Sequence, residues 1–336
     1  MEVSQLVDGV SWTTVLAILV GGYALTVAVF VILENRTPQS TFAWLFLVGV
    51  FPLGGLLIYV MFGRNRHAFS RERSLTKLVE GTALADRAAT VLAQQPAKLT
   101  VLADRQHEYA RLASMLWASA QSPLTFGNHL EILQDAQEKY PQLVSDMRDA
   151  TRSIHLLYYE WASDAFTEQV GDLLAEKAAQ GVQVRILYDP VGSFTMLKRR
   201  YVRGLRQRRI QMFPFSPLHQ LHTLSYRNHR KVAVIDGHIG YSGGLNMTEK
   251  HLSGPSGFAG WRDTHARICG EAVPILQGVF ATMWQNTTRE SLFEQAYFPE
   301  FSAQEGAVAV QVVNAGPDSR WEAMAIASYG NAASRS

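Results

Sequence analysis

"NHRKVAVIDGHIGYSGGLN" (residues 228–246) sets His229, Arg230 and Lys231 ahead of a short apolar run. The chain then reverses at Asp236-Gly237 and returns through a second run to Gly243-Gly244-Leu245-Asn246. Asp-Gly between two apolar runs is a strong short-range hairpin signal. A two-residue turn there pairs Ile235 with His238, Lys231 with Ser242, His229 with Gly244 and Arg227 with Asn246. Side chains alternate along a strand. That register therefore predicts His229, Lys231, Ser242 and Asn246 on one face, and Val232, Val234, Ile239 and Tyr241 on the other, packed against helices.

The polar face suits a phosphodiester. A neutral imidazole at His229 can attack phosphorus and split one hard displacement into two easier ones. The Lys231 ammonium and the Asn246 amide can stabilise charge on non-bridging oxygens. Ser242 and Gly244 complete the expected phosphate-binding set, with the glycine leaving room for the phosphoryl group beside backbone N–H donors. Asp236 completes the pattern H-x-K-x4-D-x6-G-G-x-N and is grouped with His229 and Lys231, although its place at the turn suits it to holding the hairpin. Glu160 and Asp164, after the first core strand, are candidates to line the pocket and orient His229.

Working outward, strands and helices alternate. "SIHLLYY" (153–159), "VQVRILYD" (182–189) and "IQMFPF" (210–215) read as strands. "FTEQVGDLLAEKAAQG" (166–181), "MLKRRYVRGLRQRR" (196–209) and "AVPILQGVFATMWQNT" (272–287) read as helices, the first closed by Gly181. This order predicts an α/β fold, a mixed sheet flanked by helices. Residues 131–153 and 311–336 share a strand–turn–helix pattern ending in a small-residue Arg-Ser run. The chain is therefore expected to enter a second repeat near 301.

The apolar share, 47% against 18% charged, is concentrated at the N-terminus. Trp12–Leu33 and Thr41–Phe62 carry no charge. At 1.5 Å per residue each reaches roughly 33 Å, enough for a hydrocarbon core. The first eleven residues hold Glu2 and Asp8 but no basic leader, which argues against a cleaved signal peptide. Arg64, Arg66, Arg71, Arg73 and Lys77 follow the second stretch, while the loop between the two carries Arg36 against Glu34. This asymmetry predicts a two-helix membrane hairpin with the rest of the chain on the cytoplasmic side, and the basic cluster against anionic headgroups. The expected domains are two transmembrane helices (1–63), a helical juxtamembrane connector (64–125), a catalytic lobe (126–300) and the start of a second lobe (301–336).

Bulk charge of +2 carries no nucleic-acid signal. One cysteine excludes an internal disulfide. "HQLH" (219–222) follows Pro217 in a loop, so no metal is assigned and no cofactor is expected.

The hairpin pattern resembles the phospholipase D superfamily motif. With "FGNHLEILQDAQEKYPQLVSDM", "GVQVRILYDPVGS", "GWRDTHARICGEAV" and the apolar N-terminus, the chain is similar to bacterial cardiolipin synthases from about Ser11 onward. The resemblance implies transfer of a phosphatidyl group between two phosphatidylglycerol molecules, with glycerol released. It implies His229 as nucleophile, Lys231 and Asn246 as phosphate ligands, no metal, and a multi-pass protein of the bacterial inner membrane. It also implies that a second histidine protonates the leaving alcohol. Such families carry two motifs per chain and this sequence carries one. The missing half is expected from a second lobe or from a second copy in a homodimer. The alternatives are another phospholipase D-type hydrolase or nuclease working as a dimer, and a non-catalytic product. The apolar spans argue against nucleic acid, and the basic helix 196–209 is read as a surface near anionic lipid.

Overall fold

The computed structural model describes residues 11–33, 38–59, 82, 84–215, 228–254, 261–301 and 308–314. The basic cluster 64–77, the loop around Arg36, the HxxH at 219–222 and the second repeat beyond 314 lie outside the described residues. Two compact units divide the chain: residues 1–69 with 219–226, and residues 70–218 with 227–336.

In the first unit, α1 (Trp12–Leu33) is long and apolar enough to cross a membrane. The stretch expected as one continuous second span is interrupted instead, forming α2 (Pro38–Val50) and α3 (Pro52–Ile58). Proline lacks an N–H, clashes with the carbonyl four residues back, and pushes the residue before it out of helical geometry. The break accordingly falls at Phe51, and Pro52 opens the next helix where its missing donor is not needed. Val27, Val48 and Tyr59 form a small core, and Tyr23 OH donates to the Pro52 carbonyl at 2.9 Å.

The second unit begins with α4 (Ala85–Ala93), α5 (Gln95–Arg105) and α6 (His107–Ala120). These occupy the segment expected as a connector, and they are packed into the lobe. The buried Gln95 side chain bonds both backbone groups of Leu124, and Arg87 donates to the Phe298 and Pro299 carbonyls. Leu102, Ala110 and Ala113 form a core with Leu124.

The lobe itself runs β1 (Leu124–Gln134), α7 (Asp135–Asp149), β2 (Ser153–Tyr158), α8 (Ala165–Ala179), β3 (Gln183–Tyr188), α9 (Arg199–Gln207), β4 (Gln211–Pro214), β5 (Val232–Ile235), β6 (Ile239–Gly243), α10 (Lys250–Ser253), β7 (Thr264–Cys269), α11 (Val273–Thr288) and β8 (Val308–Gln311). The strands form one sheet in the order β4-β3-β2-β5-β6-β7-β1-β8. β2, β3 and β4 are parallel, and the pairs from β5 onward are antiparallel. Strand β8 is an edge strand of this same sheet, so the sheet runs past the expected limits of 126–300 at both ends. Helices cover both faces. Leu143 and Met147 of α7, Leu174 of α8 and Leu205 of α9 pack on Ile154, Leu156 and Ile186. Leu276, Phe280 and Trp284 of α11 pack on Leu157, Leu187, Val232 and Val234. Helix α8 starts at Asp164, whose side chain accepts from Thr167 N while the Thr167 hydroxyl accepts from Asp164 N.

The hairpin register differs from the expected one by a residue. His238 N donates to the Ile235 carbonyl across Asp236-Gly237, and both turn residues have positive φ (53° and 74°). Pairing resumes only at Ile239, which faces Ile235, so His238 is an extra residue and Val232 faces Ser242. One extra residue moves side chains to the other face. Val232 and Val234 belong to the α11 layer, whereas Ala233, Ile235 and Tyr241 belong to the layer of α7 and α8. Both faces of the hairpin are core.

Asp236 locks the turn. Its carboxylate accepts from Thr151 N at 2.7 Å, Thr151 Oγ1 at 2.9 Å, Arg152 N at 2.8 Å and Ser153 N at 2.7 Å. Partial burial works to raise its pKa, and the hydrogen bonds from Ser153, Thr151 and Arg152 outweigh it and hold the group below its usual value. A depressed carboxylate stabilises the fold above its unfolded pKa of about 3.9, and that contribution fades as pH falls through the folded value. Asp236→Ala is expected to cost about 2–3 kcal/mol, and Asp236→Asn less. Both should flatten the acid limb of stability, read by denaturant unfolding of the detergent-solubilised chain between pH 3 and 7. An unchanged midpoint would contradict the locking role.

Candidate active site

The polar end of the hairpin emerges where β2 and β3 finish. Strand β5 is antiparallel to β2, with Val232 beside Leu157, so residues 229–231 lie beyond Tyr158 at the carboxyl end of the parallel strands. In open α/β sheets ligands bind outside that edge.

His229 is exposed, and its ring lies 4.6 Å from the Tyr159 ring at a 56° tilt. Lys231 is 2% exposed. Its Nζ donates to the His229 carbonyl at 2.8 Å and stands 5.3 Å from the centre of the same Tyr159 ring. Tyr159 therefore touches both groups. The sequence concealed it as the last letter of an apolar strand.

Loss of solvent lowers the Lys231 pKa to about 8, against the opposing pull of Asp263 and Glu160. Desolvation, followed by the Lys231 charge, also lowers the His229 pKa below 6.5, while Asp189, Asp263 and Glu160 act the other way. At neutral pH the pair is thus a free-base imidazole beside an ammonium, the protonation pattern a nucleophile and an anion ligand require.

Asn246 is buried. Its Oδ1 accepts from Glu160 N at 3.0 Å, so the Nδ2 end is the one able to donate to a ligand. The Asn246 carbonyl accepts from Tyr140 OH at 2.7 Å. Glu160 pairs with Lys250 at 2.5 Å. Asp164 caps α8 and accepts from Glu249 N. The two carboxylates thus brace the segment carrying Asn246.

The two glycines serve the protein's own side chains. A Cβ on Gly243 would meet His265 Nδ1 and the Thr264 carbonyl, and a Cβ on Gly244 would overlap the Asp263 carboxylate. Gly244 N donates to the Thr264 carbonyl at 3.1 Å. The room expected for a phosphoryl group at Gly244 is filled by Asp263, and its N–H is already used. Ser242 shares the face of Val232, opposite to that of Lys231, so it leaves the phosphate set. Asp236 lies at the far end of the strand. The structure sets His229 and Lys231 against Tyr159, ties Asn246 to the backbone of Glu160, the next residue, and separates Asp236 and Ser242 from them. Asp263 lies within "GWRDTHARICGEAV", one of the stretches that carry the resemblance.

Two buried histidines hold the loop after β6. His265 Nδ1 accepts from Leu245 N at 3.3 Å, and His251 Nε2 accepts from Asn246 N at 3.4 Å. Burial first, then neighbouring lysines, lower their pKa values to about 2 and about 4, so both stay neutral and keep an acceptor nitrogen. The backbone N–H can only donate, which assigns the tautomers.

A family model described as "Cardiolipin synthase, PLD-like domain" matches residues 143–256. Another, described as phospholipase D-nuclease N-terminal, matches residues 24–64. The cardiolipin synthase of Alkalihalophilus pseudofirmus is 36% identical over 300 residues, covering 88% of this chain and 58% of its own length. That of Geobacillus kaustophilus is 36% identical over 314 residues, covering 91% and 60%. The chain thus spans about three-fifths of the length of these curated relatives. Among solved structures, NUC from Salmonella typhimurium, described as a phospholipase D family member, aligns over 49% of this chain and 96% of its own. The TM-score is 0.35 and the identity 16%.

An asparagine amide oxygen mimics Nδ1 and a glutamine oxygen mimics Nε2. His265→Asn and His251→Gln should therefore retain about 1–2 kcal/mol more stability than His265→Gln and His251→Asn. Thermal unfolding of the four variants checks the order, and equal losses would count against the assigned bonds.

Proposed function

We propose that this chain, whose residues 143–256 match the family model described as "Cardiolipin synthase, PLD-like domain", takes part in phosphatidyl transfer between two phosphatidylglycerol molecules. The observation that carries the proposal is the neutral, exposed His229 imidazole beside the buried Lys231 ammonium, both against Tyr159, with Asn246 bonded to the backbone of Glu160, the residue after Tyr159. A ring nitrogen of His229 attacks the phosphorus of the first lipid. The P–N bond forms as the P–O bond to the headgroup glycerol breaks, and glycerol leaves once its oxygen gains a proton. A hydroxyl of the second lipid's glycerol then attacks the phosphohistidine. It loses its proton as the new P–O bond forms and the P–N bond breaks. Lys231 and Asn246 Nδ2 bind the non-bridging oxygens throughout. Burial of Lys231 strengthens that contact by excluding water from one side of the ammonium.

His229 cannot be nucleophile and leaving-group acid in the same step. The second motif that supplies the acid comes either from a second lobe or from a second copy paired across a two-fold axis. Helix α1 holds the chain in the bacterial inner membrane, with the lobe on the cytoplasmic side. No metal or other cofactor enters this scheme.

Labelled phosphatidylglycerol in mixed micelles, incubated with the chain alone and with a relative's second lobe, tests the reading. Cardiolipin and free glycerol should appear together, and His229→Ala should lower the rate at least about a thousand-fold. An alkaline quench should retain label on His229, since a phosphoramidate survives base. Unimpaired turnover by His229→Ala would overturn the proposal. The pH profile should be bell-shaped, with an acid limb below pH 6.5 as His229 protonates and an alkaline limb near pH 8 as Lys231 loses its charge. The alkaline limb should appear in KM and vanish in Lys231→Arg.

A further inference from the structure

The loop joining β3 to α9 leads from the site to the surface. Asp189 and Gly192 form its inner side: Asp189 accepts from Val191 N and Gly192 N, and a Cβ on Gly192 would meet the Tyr159 ring and carbonyl. Tyr159 is the residue that contacts His229 and Lys231. Ser193, next along, accepts from Trp161 N through its Oγ. The loop is thus held firmly against the site.

Its outer side is unlike the rest of the lobe. Phe194 is 70% exposed and Val191 38% exposed. Among the described residues of 124–301, the only other large apolar side chains exposed to this degree are Ile132 and Trp261, and Trp261 lies two residues before Asp263. Three of the four therefore flank one site. An exposed phenylalanine carried on a braced loop gains nothing from water, and among the described residues nothing covers it.

Immediately after the loop come Lys198, Arg199 and Arg200, all exposed. Among the described residues none of the three pairs with a carboxylate. Helix α9 begins here, at the site edge of the sheet, and runs to the opposite edge. There Arg206 is spent on the Met212 carbonyl and Arg208 on Asp172. Three unpaired cations thus stand at the same end as Phe194, while Arg203 in mid-helix and Arg209 at the far end are also exposed and, among the described residues, pair with no carboxylate. A protruding apolar residue followed within six residues by three free cations matches an anionic bilayer surface, where the ring enters the acyl boundary and the cations meet headgroup phosphates.

We propose that the β3–α9 loop is a membrane-contact element: Phe194 and Val191 enter an anionic lipid surface, Lys198, Arg199 and Arg200 bind its phosphates, and the site is held at headgroup depth. The contact does not depend on the transfer chemistry. The measurement below reads immersion rather than turnover, so its failure and that of the proposed reaction are distinguishable.

The test uses the full chain in nanodiscs, with Cys269→Ser and a nitroxide placed at Phe194→Cys or, separately, at Val191→Cys. In discs containing phosphatidylglycerol, the ratio of oxygen to water-soluble nickel accessibility should rise several-fold over discs of phosphatidylcholine alone. Arg199→Glu with Arg200→Glu should abolish the rise. Arg208→Glu, at the far end of the same helix, should leave it intact. A nitroxide equally exposed to water in both discs would overturn the proposal. So would an Arg208→Glu effect as large as that of the double reversal.

Discussion

The Asp236 carboxylate accepts three backbone N–H groups and one hydroxyl from the segment that starts β2. Strand β5, four residues long, then runs antiparallel to β2, so its other end is placed at the carboxyl edge of the parallel strands. Anchoring the turn at one edge fixes where His229 and Lys231 emerge at the other, because a paired strand has a set rise per residue. The motif's aspartate and histidine are thus coupled through the rigidity of a paired strand, without contact between them.

What the emerging residues meet is set by neighbouring strands. Tyr159 extends from the end of β2 under both His229 and Lys231, and Asp263 arrives from the start of β7 to fill the space over Gly244. Lys231 is almost wholly buried, so its charge costs desolvation that Asp263 and Glu160 partly offset. That balance leaves the lysine charged at neutral pH and the imidazole free. The family model that matches residues 143–256 is described as a cardiolipin synthase PLD-like domain, and the curated relatives are named cardiolipin synthase.

Much of this lobe was legible in the residue order. The strands at 153–158, 183–188 and 211–214 and the helices between them carry patterns that need no partner to be recognised. Strand β7 is not legible in sequence, because "THARIC" alternates weakly and follows a polar run. The helices at 85–120 look like a connector in sequence, since nothing local shows that Gln95 reaches Leu124 or that Leu102 enters a core. Phe51-Pro52 carried a visible break signal, and the apolar composition on either side masked it.

Composition and spacing alone determined the α/β class, the apolar N-terminus, the hairpin, and the closeness of His229 to Lys231, because each is a property of residues close in the chain. Tertiary structure alone decided the register, the removal of Ser242 from the polar set, the use of both glycines by Asp263 and His265, and the role of Tyr159. Those outcomes depend on which strands become neighbours. Neighbours are chosen by burial of both faces of the sheet, and that burial is a non-local quantity that no stretch such as 228–246 contains.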